Sequence, residues 1–515
     1  AVSHLMSVCD EPKLREAYNE ALPIVTQFWI GLSQSELSEK YKAIKESAEF
    51  KTLSATRQRI INEELKDFML AGAFLPAKRK EQLKTVKETL AKESQKFSEN
   101  LLDATNAYGL LVENKSDLAG IPEDDIASFK EAAQAAGQEG YRITLQVPHY
   151  LAVMQYAQNR ALRETLYKAY VTRASELDFD GRFNHNNVMR HIVELREAEA
   201  KLLGFKNYGE VSLATKMADT PREVIAFLRD LAKRSLPQAK NDMKEVKQFA
   251  RDTLKIDDPQ SWDLPFASEK LRQARYSYSD QEVKQYFTLP NVFNGLFGLV
   301  QTLFGIRIVP DMAPVWHPDV QFFRIENDKG EKVAQFYMDL YARPNKRGGA
   351  WMDNDRTRNR LYGQLQTPVA YLVCNFAKPV GDKPALLTHD DVLTLFHEFG
   401  HGLHHMLSRI EEPAASGING VEWDAVECPS QFMENFAWDW TVLQNLTGHV
   451  KTGEKLPRTL FDKMLAAKNF QSAMAMVRQL EFGLFDMLLH TDFDPEKDSI
   501  LELLAEVRKE VAVTE

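Results

Sequence analysis

The chain has 515 residues, 44% of them hydrophobic, and a formal net charge of -10 at pH 7. This length and composition allow a sizeable core and roughly three average domains or one large two-lobed one. The negative charge, without a dense run of Lys or Arg, argues against nucleic acid as a partner, and no apolar stretch nears the ~18 residues of a membrane span.

The cysteines indicate the compartment. Cys9, Cys374 and Cys428 are odd in number and far apart in the sequence. They do not resemble a disulfide framework and are typical of a reducing compartment. The first residues also lack the basic and apolar segments of a signal peptide. We therefore expect a cytoplasmic protein without a membrane partner.

Helical patterns dominate outside one central region. Residues 83–106 space their apolar side chains by three and four, as an amphipathic helix does. Another helix is predicted to begin at Thr220, which can cap it, with Pro221 in the first turn and Glu223 able to complete a capping box. Residues 470–490 are apolar on several sides, which predicts a buried helix.

The region from Val320 to Phe376 has a different pattern, with short runs of β-branched and aromatic residues. Two of these runs flank a good hairpin turn at residues 327–330, so we predict a small antiparallel or mixed sheet within a mainly α protein. The helical pattern also breaks between Gly137 and Pro148. This break suggests a division into an N-terminal helical region, 1–150, and a second region, 151–515.

The pattern H-E-x-x-H occupies residues 397–401, in a segment that Thr388 and Asp391 predict to be a capped helix. Residues four apart lie on one helix face, so His397 and His401 can bind one zinc ion at about 2.0–2.1 Å each. Glu398 would then lie beside the open coordination position and could accept a proton from water.

Chance is the alternative explanation of so short a pattern. The helix is otherwise strongly apolar, however, so its polar residues need partners. Gly400 and Gly402 each cost a helix about 1 kcal/mol relative to Ala, which is unfavourable unless another group approaches closely. These features favour a metal site over chance.

The third ligand determines the subclass. A metzincin would need Gly at position 404 and His at 407, where this chain has His404 and Leu407. A helix predicted from Trp423 onward supplies carboxylates instead, because Glu427 and Glu434 share one of its faces. Either could complete a site of two histidines and one carboxylate. Spacing alone does not choose between them.

Residues 397–407, HEFGHGLHHML, and 416–435, SGINGVEWDAVECPSQFMEN, resemble the thimet oligopeptidase family. The segments KRGGAWMD (346–353) and VWHPDV (315–320) are also similar. The resemblance implies a mainly α, two-lobed helical metallopeptidase with a small β-sheet near the active site and a deep substrate channel. In that family the Glu before x-Pro-Ser-Gln is the third zinc ligand, which implies Glu427.

The function implied is that of a zinc-dependent endopeptidase that hydrolyses short oligopeptides, including peptide degradation products. One Zn²⁺ per chain would be bound by His397, His401 and Glu427, with Glu398 as the general base. The partners would be short peptides, and a monomer is favoured. The alternatives are a carboxy-dipeptidase, a metal-binding but inactive peptide-binding protein, and a metal-free structural protein.

The resemblance also concerns the chain ends. The family pattern continues into a C-terminal Tyr-rich loop that donates hydrogen bonds to the oxyanion, and residues after Val511 do not match it. The start of the chain corresponds to a position inside the family's N-terminal helical region. We therefore interpret the region 1–150 as truncated at its start and the region 151–515 as truncated at its C-terminal end. Since losing one oxyanion donor costs about 100- to 1000-fold in rate, we expect this chain to bind zinc and to cleave peptides weakly.

Overall fold

The computed structural model describes residues 2–514 and is mainly helical. Helices α1 to α10 span, in order, Val2–Val8, Pro12–Ser33, Leu37–Glu46, Ala55–Leu70, Ala77–Ala107, Glu123–Ala135, Val147–Tyr156, Arg160–Val171, Asn186–Leu203 and Tyr208–Leu213. Helices α11 to α20 span Pro221–Asp252, Leu264–Tyr276, Asp280–Lys284, Leu289–Phe304, His389–Met406, Cys428–Glu434, Trp440–Leu446, Arg458–Ala467, Ser472–Leu489 and Ile500–Val511. Within residues 2–514, none of the helices has both the length and the apolar character that crossing a bilayer requires.

The strands form two sheets. Strands β1 to β7 span Leu110–Val112, Tyr141–Ile143, Arg307–Pro310, Gln321–Glu326, Lys332–Tyr341, Trp351–Arg356 and Val369–Phe376. The first two pair with each other, and the other five form a sheet in the order β3-β4-β5-β7-β6. The β5–β7 pair is parallel and the other pairs are antiparallel. The sheet is therefore mixed, and its inner strand β7 is a nearly continuous apolar run because both of its faces are buried.

The largest apolar core contains side chains of α14, of α15 and of this sheet. Phe396 and Phe399 of α15 are fully buried, as are Phe336 of β5 and Leu372 of β7. Burying each such side chain contributes about 1.5–3 kcal/mol. The apolar face of α15 is thereby fixed on the sheet, and its opposite face, which carries the histidines, is held in a defined direction.

A buried charge cluster supports the same sheet. Asp339 of β5 accepts hydrogen bonds from Arg343 at 2.6 and 2.7 Å, from Lys346 at 2.8 Å and from the indole of Trp316 at 2.8 Å. Lys346 also donates to three backbone carbonyls. Burial lowers the pKa of Lys346 to about 8. The first residue of the KRGGAWMD segment is therefore part of the framework beneath the sheet.

Several of the sequence predictions are confirmed. The mainly α fold with a small mixed sheet is observed, the helix predicted at 83–106 lies within α5, and residues 327–330 form the turn between β4 and β5. Thr220 caps α11 by accepting a hydrogen bond from the backbone N–H of Glu223. The two lobes, the deep channel and the division near residue 150 stay predictions.

Two local predictions are wrong. The capping box at Thr220 is incomplete, because the Glu223 carboxylate accepts from the N–H of Asp219 instead. Helix α19 is not buried all round, since Phe482 is 51% exposed and Met476 is 43% exposed. Only one face of α19 packs closely, against α11 and α20.

Candidate metal centre

The helix that carries the H-E-x-x-H pattern begins as predicted. The Thr388 hydroxyl accepts a hydrogen bond from the N–H of Asp391 at 3.0 Å, and the Asp391 carboxylate accepts from the N–H of Thr388 at 2.9 Å. This reciprocal capping box satisfies two of the free N–H groups at the start of α15. His397 and His401 follow on the polar face, each about one turn from the other.

The structure brings His397, His401 and Glu427 together. Oε2 of Glu427 lies 3.1 Å from Nε2 of His397 and 3.2 Å from Nε2 of His401. In a tetrahedral site with bonds of about 2.0–2.1 Å, neighbouring ligand atoms are about 3.3 Å apart. Within residues 2–514 this is the only group of three or more His, Cys, Asp or Glu side chains whose ligand atoms all lie within 4.8 Å of one another. The donor set and its spacing fit a tetrahedral divalent ion.

Glycine at position 400 allows Glu427 to come this close. A Cβ atom on Gly400 would lie 2.6 Å from the carbonyl oxygen of Pro429 and 2.7 Å from Cα of Ser430, closer than real Cβ atoms come. The backbone of α16 therefore lies directly on α15, and Glu427 is the residue that precedes α16. The close approach that the sequence required at Gly400 is present.

Glu398 is next to the first histidine and is only 4% exposed. Its Oε2 atom is buried and has no hydrogen-bond partner among the residues that the structure describes. Its pKa is raised to about 7, mainly by burial; the nearby His397 opposes this shift, and Glu427 adds to it. An unpaired buried oxygen is unfavourable. Its presence here is consistent with a water molecule or an ion as the missing partner.

Glu434, the alternative third ligand, contacts the other side of the same imidazole. Its Oε1 lies 2.7 Å from Nδ1 of His397, whereas Glu427 faces Nε2. The Ser430 hydroxyl donates a hydrogen bond of 2.9 Å to Oε2 of Glu427. Ser430 was not predicted to be a site residue. Its position one helical turn after Glu427 is the signal that would have found it.

Other polar residues of this region have different contacts. His405 is fully buried, and its Nε2 lies 2.8 Å from the carbonyl oxygen of Arg356 in β6. His404 is half-buried, and its Nδ1 has no hydrogen-bond partner among the side chains and backbone atoms that the structure describes. Asp424 accepts hydrogen bonds from the backbone N–H groups of Met217 and Ala218. Asp424 therefore anchors the loop before Glu427.

The prediction of a single helix from Trp423 onward is wrong. The segment forms a 3-10 turn at Trp423–Ala425, then α16, then a second 3-10 turn at Asn435–Trp438. Pro429 stands in the first turn of α16, where a residue without an N–H is tolerated. This position of Pro429 favours a helix that begins at Cys428 over one that runs through from Trp423.

Comparisons with known proteins cover nearly the whole chain. Residues 153–515 match the family described as "Peptidase family M3", and residues 1–80 match "Neurolysin/Thimet oligopeptidase, N-terminal domain". The chain is 48% identical to oligopeptidase A of Escherichia coli (strain K12), over 99% of this chain and 76% of that protein. It is 36% identical to dipeptidyl carboxypeptidase of Salmonella typhimurium, over 82% of this chain and 62% of that protein.

The fold also resembles that of a solved structure. PZ peptidase A, crystallised with an inhibitor, superposes with a TM-score of 0.55 at 16% sequence identity, over 100% of this chain and 72% of that one. At this identity the likeness concerns the fold alone. The individual roles of His397, Glu398, His401 and Glu427 stay predictions.

The contact at Gly400 predicts a difference between two neighbouring glycines. Gly400→Ala must displace the backbone of α16 and should reduce the free energy of unfolding by about 1–3 kcal/mol. Gly402→Ala should cost less, because its Cβ would meet the flexible end of the Leu372 side chain at 2.9 Å. Denaturant unfolding of the two metal-free variants tests this. Equal losses of stability would show that the α15–α16 contact is not tight.

The raised pKa of Glu398 predicts a pH-dependent stability of the metal-free protein. The neutral Glu398 carboxyl makes its full contribution to the free energy of unfolding below its ordinary pKa of 4.5. This contribution is lost as the pH rises through about 7. The glutamine of the Glu398→Gln variant is neutral at every pH. The free energy of unfolding of this variant, relative to that of the unsubstituted chain, should therefore grow by on the order of 2 kcal/mol between pH 5 and 8. Denaturation curves at several pH values measure this, with the exposed Glu506→Gln as the control. A constant difference would show that the pKa is not raised.

Proposed function

The chain belongs to peptidase family M3, and on this premise we propose that it is a zinc-dependent endopeptidase. Its substrates would be short oligopeptides, including peptide degradation products. The observation that carries the proposal is the group of His397, His401 and Glu427 beside the buried, unpaired oxygen of Glu398.

Zinc, one ion per chain, is the metal we propose. Two imidazole nitrogens and one carboxylate oxygen are ligands that zinc accepts in catalytic sites, where the fourth position stays open for water or substrate. Calcium and magnesium prefer sets of oxygen ligands. When bound, zinc supplies Lewis-acid chemistry, which polarises a carbonyl and makes water more acidic.

Glu398 is the proposed general base. Its unpaired Oε2 is the atom that would accept a proton from the attacking water and then release it to the leaving amine. The pKa of this carboxyl is raised to about 7 in the metal-free protein, and a bound cation would lower it, which favours the ionised form that accepts a proton. The burial of this atom limits the access of other water to it.

Relatives support the substrate class. Oligopeptidase A is the name of the 48%-identical Escherichia coli relative, which aligns with 99% of this chain. Two relatives named dipeptidyl carboxypeptidase are 34% and 36% identical over smaller parts of it. This difference favours internal cleavage over removal of dipeptides from the C-terminus. Analysis of the products of one long peptide separates the two activities.

The organisation and location are also proposals. We assign residues 1–150 to an N-terminal helical region and 151–515 to the catalytic region, which agrees with family matches that end at residue 80 and begin at residue 153. The three free cysteines support the cytoplasm. Of two Arabidopsis thaliana relatives that are each 42% identical, one is named as probably cytosolic and the other as organellar.

The division of roles predicts opposite effects of substitutions at neighbouring residues. Glu398→Gln keeps the ligands, so zinc content should be unchanged while the rate of peptide cleavage falls at least about 100-fold. His401→Ala should lose most of its zinc, and Glu427→Gln should bind it more weakly. Metal analysis and cleavage of one fluorogenic peptide measure both effects.

His404→Ala is the matched control, because it removes a histidine about one turn from His401 on the same helix. It should retain its zinc. Equal zinc loss in the His401→Ala and His404→Ala variants would contradict the proposed ligand set. An original chain that binds zinc but cleaves no peptide would contradict the peptidase proposal and favour a peptide-binding role.

A further inference from the structure

We propose that Glu434 is a positioning residue that holds the imidazole of His397 in the orientation and tautomer that bind the metal. The inference rests on the proposed zinc site and adds a residue to it. Glu434 contacts His397 through the ring nitrogen that faces away from Glu427. It therefore acts on the metal through the histidine.

Both carboxylates belong to one short segment, residues 427–434. Glu427 immediately precedes α16 and Glu434 is its last residue. Because seven residues correspond to nearly two turns, the two side chains project from the same face. His397 lies between them, with Glu427 Oε2 at 3.1 Å from Nε2 and Glu434 Oε1 at 2.7 Å from Nδ1.

The contact with Glu434 determines which nitrogen carries the proton. An ionised carboxylate only accepts hydrogen bonds, so Nδ1 of His397 must be the donor. The neutral imidazole then has its lone pair on Nε2, the atom that faces Glu427 and His401. Without Glu434, the ring could rotate or carry its proton on Nε2, and both changes oppose metal binding.

Glu434 is not in the position of a ligand. The group of ligand atoms within 4.8 Å of one another contains His397, His401 and Glu427 but not Glu434. The side chain of Glu434 is 37% exposed, so it is available for substitution without opening the core. A loss of metal affinity in its variants would therefore report on the contact with His397 and not on global folding.

The experiment measures zinc affinity by competition with a chromophoric chelator. Glu434→Ala removes the acceptor and should raise the dissociation constant for zinc by about 10- to 100-fold. Glu434→Gln retains a neutral acceptor and should give a smaller increase. The thermal unfolding of both metal-free variants should match that of the original chain. Glu506→Gln, a change at an exposed glutamate of α20, is the control for loss of surface charge.

The outcomes separate this inference from the zinc site itself. If the Glu434→Ala variant binds zinc with unchanged affinity, while His401→Ala loses it, the positioning role is overturned and the site stands. If Glu434→Ala loses zinc as completely as Glu427→Ala does, Glu434 is a ligand and the inference is also overturned. If the unsubstituted chain binds no zinc, the proposed function is wrong, and the positioning role of Glu434 is overturned with it.

Discussion

The close contact between α15 and α16 is the constraint on which the rest of the candidate site depends. Gly400 has no side chain, so the backbone around Pro429 and Ser430 can lie against the helix that carries both histidines. Only at this separation do the carboxylates at the two ends of α16 reach His397. A side chain at position 400 would push both carboxylates outward together. The glycine is thus unfavourable for the helix and necessary for the site.

The apolar surroundings of the site determine its chemistry. The side of α15 opposite the histidines is packed on the mixed sheet. This packing holds the helix in place although Glu398 and Glu427 repel each other. The same burial leaves one oxygen of Glu398 without a partner among the described residues and raises the pKa of that carboxyl to about 7. A metal ion nearby would offset the repulsion between Glu398 and Glu427, so the arrangement is better suited to the metal-bound state.

Periodicity, capping and turn signals predicted much of the fold from the sequence. They located α5, the start of α15 and the turn between β4 and β5, because each depends on residues near to one another in the chain. Spacing also predicted that His397 and His401 would share a face. It did not decide which of Glu427 and Glu434 faces Nε2, because both project from one side of the segment 427–434 and the answer depends on where α16 docks. The burial of Lys346 likewise depends on a residue distant in the sequence, because its ammonium group donates to the carbonyl oxygen of Cys374 in β7.

The most direct test of the central claim is a crystal structure of the zinc-loaded protein with anomalous diffraction data at the zinc absorption edge. We predict one strong anomalous peak about 2.0–2.1 Å from Nε2 of His397 and of His401, and about 2.0–2.2 Å from a carboxylate oxygen of Glu427. Glu434 should remain hydrogen-bonded to Nδ1 of His397. A peak at another position, or one bonded to Glu434 in place of Glu427, would contradict the account.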